Sequence, residues 1–146
     1  MEISEIPGNT YQGSNISTES IENLGKVKVN ALKESISEIG HQLEERRKIS
    51  REFEREGNKM KMNINNFLLE NTPAGEDDSD FARERAELRR KQIDISEMQL
   101  NEMVNCWRDV VLLQKDLRDK QKELFERESR MNAINDILGD NSNGRE

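Results

Sequence analysis

Met103, Val110, Leu117, Leu124, Met131 and Leu138 recur at every seventh position, and neither Gly nor Pro falls between Asp80 and Leu138. Apolar residues at that interval form one seam along a helix, which is stable only when another helix covers it. Cys106, Leu113 and Ile134 supply the second residue of the repeat. Earlier in the same segment Phe81, Leu88 and Ile95 also recur every seven residues, but one residue out of step with the later series. A skip of this kind locally distorts a supercoil.

The first half of the chain carries its own frame: Val29, Leu32, Ile36, Ile39 and Leu43, then Phe53, Met60, Ile64 and Phe67. Arg46, Ser50 and Gly57 fall at seam positions in its middle, and Gly25 does so near its start. Ser17 suits an N-cap, with Ile16 and Ile21 as a hydrophobic staple and Glu19 in the positively polarised first turn. Asn71-Thr72-Pro73-Ala74-Gly75 breaks the pattern, because the residue before Pro is pushed out of the α region. The acidic run Glu76-Asp77-Asp78-Ser79-Asp80 then suits the start of a second helix, and Gly139 suits a C′ position at its end. The expected organisation is a flexible tail over 1–16, helix 17–71, loop 72–79, helix 80–138 and a second flexible tail over 139–146.

Two helices of similar length joined by a short Pro-Gly loop predict an all-α fold, a long antiparallel helical hairpin of coiled-coil type. The equal lengths set Leu113 against Ile36, Val110 against Ile39, Leu117 against Leu32 and Phe81 against Phe67. The rival arrangement keeps each helix extended in a parallel coiled coil with other chains.

Composition agrees with long solvated helices rather than a thick globular core: 36% of residues are charged, 32% hydrophobic and only 4% aromatic. The net charge of −7 comes from interleaved acidic and basic residues, without a polybasic tail. This disfavours nucleic acid and anionic membrane as partners. The most basic patch, Arg83, Arg85, Arg89, Arg90 and Lys91, with Lys59 and Lys61 across the hairpin, is broken by Glu84 and Glu87. A single Cys, the lack of a signal-peptide pattern and the lack of a long apolar run point to a cytoplasmic protein with no transmembrane segment.

Little in the sequence has the form of catalytic chemistry. Cys106 and the single histidine, His41, are brought near each other by the hairpin, with Cys106 close to Leu43, but a two-helix seam has no pocket or oxyanion site. Cys106 is expected to act as a small packing residue. The acidic run lacks the Gly and Glu spacing of a calcium loop, and no Cys/His cluster or phosphate loop occurs. No catalytic, cofactor-binding or metal-binding residue is assigned, and no cofactor is expected. Carboxylates alternate with basic residues, as in Glu44/Lys48 and Asp116/Lys120, which suits weakly paired, solvated faces.

The remaining signal is a second apolar stripe. Leu100, Val104, Trp107 and Val111 follow at steps of four, three and four, away from the seam, with Met98 and Leu112 widening the patch. A hairpin can cover only one stripe, and an uncovered one centred on Trp is the mark of a protein interface. Leu100, Val104, Trp107, Val111 and Leu112 are therefore the expected partner-binding residues, for a helical chain that is identical or different. This predicts a non-enzymatic coiled-coil subunit or adaptor assembling into a larger complex through the second helix. The alternative is a chaperone-like or regulatory protein that reversibly holds an amphipathic helix of a client in the groove between its helices.

Overall fold

The computed structural model describes residues 18–71 and 79–143. Two helices make up the described chain, α1 (Thr18–Glu70) and α2 (Ser79–Asn143), packed against each other as an all-α helical hairpin. The expected tail over 1–16, the Ile16–Ser17 capping arrangement, the Pro73-Gly75 break and the acidic residues Glu76, Asp77 and Asp78 lie outside the described residues. Glu19 stands in the first turn of α1 as expected. At the other end Asn71 closes the helix twice, donating to the Phe67 carbonyl from its backbone N–H at 3.0 Å and from its side-chain amide at 2.9 Å. The expected stop of α2 at Leu138 is corrected: the helix continues through Gly139 to Asn143. A glycine costs a helix only about 1 kcal/mol, and nothing lies within 4 Å of the place a Cβ would occupy at Gly139.

The contacts divide into two units, one pairing the start of α1 with the end of α2, the other spanning Ser37–Asp119. In the first unit Val29 and Leu32 are buried, and Met131 lies over Gly25, its Sδ 3.5 Å from where a Cβ would stand. Lys33 and Glu128 form an ion pair at 3.5 Å. Ile134 and Leu138 were expected in the seam but are exposed.

In the second unit Ile39, Leu43 and Leu68 are buried, each worth roughly 1.5–3 kcal/mol of removal from water. The helices run antiparallel: Lys61 meets Gln92 and Ser96, while Arg46 meets Glu102, Cys106 and Asp109. The register differs from the expected one by close to a heptad. Pairing Val110 with Ile39 and Phe81 with Phe67 would lay Gln92 across Gly57; instead Gln99 fills that notch, and Gln92 reaches the Lys61 carbonyl at 3.0 Å. A slip of seven residues keeps every seam position in the seam, so apolar spacing alone does not distinguish the two registers.

The seam itself is also displaced toward the loop end of α1. Met60 and Phe67, expected inside, are 56% and 47% exposed, while Leu68 is buried and Lys61 and Ile64 are half-buried. A straight helix drifts about 20° per heptad against a strict seven-residue repeat, and one extra residue per several heptads restores the contact. On α2 the same adjustment falls at Glu102–Cys106–Val110, two successive steps of four among the half-buried positions. The skip expected between Ile95 and Met103 thus falls slightly later, after Glu102. It excludes Met103, which is 59% exposed, from the seam, and Glu102 takes its place.

Candidate interface on the second helix

Arg46 is the polar centre of the second unit. Its guanidinium donates to Glu102 and, at 2.8 Å, to Asp109 one heptad further along α2. The Arg46 and Glu102 side chains are both about four-fifths covered. The hydrogen bond to Glu102, and then that to Asp109, raise the Arg46 pKa well above the ordinary arginine value, so it stays charged wherever the chain is folded. An apolar seam accepts such a residue only where carboxylates stand ready to receive it. Gln99 makes a second polar layer, donating to the Glu54 carbonyl at 3.0 Å and to the Asn58 side-chain oxygen at 3.1 Å.

Cys106 is a half-buried free thiol whose Sγ lies 4.0 Å from the Arg46 carbonyl. It therefore lies against the Arg46 backbone, one turn along α1 from the expected Leu43. His41 lies exposed on α1, five residues before Arg46. No group of three or more metal-ligating side chains occurs among the described residues. Among the described residues, no helix is long and apolar enough to cross a membrane. The ion pairs among the described residues do not include Glu44/Lys48 or Asp116/Lys120; the i,i+4 pair that forms is Glu123 with Arg127, at 3.2 Å. In the basic patch Lys61 and Arg89 border one shallow groove beside Gln92 and Glu97, and Arg85 stacks over Phe81 at 5.3 Å from the ring centre.

The second stripe lies outside the seam. Successive helix residues are separated by about 100° around the axis, so Trp107 points away while Cys106 points at α1. Trp107 is 70% exposed, and Leu100, Val104 and Val111 are exposed with it. Met103, displaced from the seam, and Ile93, two turns before Leu100, are exposed as well and extend this face, which residue spacing alone had not assigned to them. Leu112 is set apart from the others. It borders an open groove with Gln42, Glu45, Arg46, Ile49, Asp109 and Leu113, whereas Leu100 and Met103 border the opposite flank with Ser50, Glu54 and Lys61. Met98, two residues before Leu100 and so roughly 160° from it around the helix, likewise falls off the Trp107 face.

Comparison of the chain with family models, with curated proteins and with solved structures gives no match.

Proposed function

We propose that this chain is a non-enzymatic coiled-coil subunit or adaptor that joins a larger assembly by packing a further helix on the outer face of α2. The observation that carries this reading is Trp107, largely exposed at the middle of the row Leu100, Val104, Trp107, Val111. A large indole left in water forgoes the burial that dominates interface energetics, and binding hot spots are enriched in Trp at the centre of an interface. The compartment proposed is the cytoplasm, where a lone thiol such as Cys106 stays reduced.

The test is photo-crosslinking from p-benzoylphenylalanine placed at 107 in the source cells, followed by mass spectrometry. Cross-linked polypeptide, whether this chain or another, is the expected product. The same probe at Lys48 is the control that should give none: Lys48 is exposed on α1, roughly 160° around that helix from the seam residue Arg46. Capture no greater from 107 than from 48 refutes the reading.

A second reading is favoured by the groove that Ile49, Leu112 and Leu113 line beside Arg46. An amphipathic helix laid there would make the chain a chaperone-like or regulatory binder of client helices. In that case cross-links form from 112 rather than 107, and the captured chain exchanges reversibly.

A further inference from the structure

We infer that the partner on the outer face of α2 is a second copy of this chain, its α2 running antiparallel, with the two-fold axis passing between Val104 and Trp107. The inference rests on the reading of that face as an interface and names what occupies it. Two observations carry it. The first is the order of charges along the face. Glu97 stands beside the apolar row between Ile93 and Leu100, and Lys115 and Arg118 stand beyond Val111, all exposed. None of the three forms an ion pair with a described residue. A parallel pair of α2 helices sets Glu97 against Glu97 and Lys115 against Lys115. An antiparallel pair sets Val104 against Trp107 and Leu100 against Val111. Glu97 then reaches Gln114, Lys115 and Arg118 of the other copy, and the same contacts recur by symmetry at the far end. A two-fold interface must be self-complementary in this way, because each residue meets the partner of its own partner. Complementary charges at the ends of an apolar seam select direction and register.

The second observation is area. Ile93, Leu100, Met103, Val104, Trp107 and Val111 are 59%, 56%, 59%, 46%, 70% and 39% exposed. Together they present roughly 600 Å² of surface, at the lower end of what each partner buries in a standard stable interface. Arg89, one turn beyond Ile93, ends the apolar row.

The experiment uses the full chain in sedimentation velocity from low to high micromolar concentration. A reversible dimer is expected, and Trp107→Ala should weaken it ~30-fold or more with unchanged helix content, as for a central hot-spot Trp. Glu97→Lys and Lys115→Glu should each weaken it about five-fold, and the double swap should restore it. Direction is read separately in a Cys106→Ala background: Val104→Cys should cross-link to itself through a short bismaleimide, while Lys115→Cys should not. A monomer at all concentrations, a dimer indifferent to Trp107→Ala, a swap without rescue, or self-cross-linking at 115 each overturns the inference. If the chain is monomeric while photo-crosslinking from 107 captures another polypeptide, the second copy is refuted and the interface stands. If 107 captures nothing, both fall.

Discussion

Gly57→Ala isolates what sets the register of this hairpin. In a helix interior, alanine is favoured over glycine by about 0.5–1 kcal/mol, so on propensity alone the change stabilises. The surroundings oppose it. A Cβ at Gly57 would overlap Gln99 Nε2 and stand 2.8 Å from Cδ and 3.1 Å from Cγ. Those atoms are the end of a flexible side chain, but one held by hydrogen bonds to the Glu54 carbonyl and Asn58. Moving it forfeits both, at about 0.5–1.5 kcal/mol each. The loss of roughly 2 kcal/mol exceeds the gain, and Gly57→Ala should destabilise by about 1 kcal/mol net. In a Gln99→Ala background the obstruction is gone, and the same substitution should stabilise by about 0.5–1 kcal/mol. The assay is urea unfolding followed by circular dichroism for the four members of the cycle. A coupling of about 2 kcal/mol is expected between the two positions. If Gly57→Ala stabilises equally in both backgrounds, Gln99 does not occupy the notch, and the register described above is wrong.

Gly40→Ala is the control: Gly40 is exposed, with nothing within 4 Å of a Cβ, so it should stabilise by about 0.5–1 kcal/mol, read from the same urea transition. Arg46→Ala should cost about 1–3 kcal/mol in the same transition, because it leaves the mostly covered Glu102 unpaired near Asp109. Replacing Arg46 and Glu102 together by leucine should recover that stability yet lose the register, so that spin-label distances between α1 and α2 broaden to include a population one heptad away. Leu43→Ala should cost about 2–4 kcal/mol in thermal or urea melts, as for a buried leucine that leaves a cavity.

The heptads and the low apolar content were enough to define two helices and the outward face of Trp107, and they favoured a hairpin without excluding helices extended alongside other chains. Each is a local or one-dimensional property: residue spacing decides which side of a helix is apolar, wherever its partner lies. The register required the tertiary structure. A seven-residue slip returns every seam residue to the seam, so hydrophobic spacing leaves the two alignments alike. The choice rests on polar and steric complementarity between residues distant in sequence: Arg46 between Glu102 and Asp109, and Gln99 in the notch of Gly57. The same applies to Met60 and Phe67, which repeat as seam residues but lie outside because a straight helix drifts off a strict heptad. It applies also to Leu112, which an apolar count groups with Trp107 but which the helix turns onto the opposite flank.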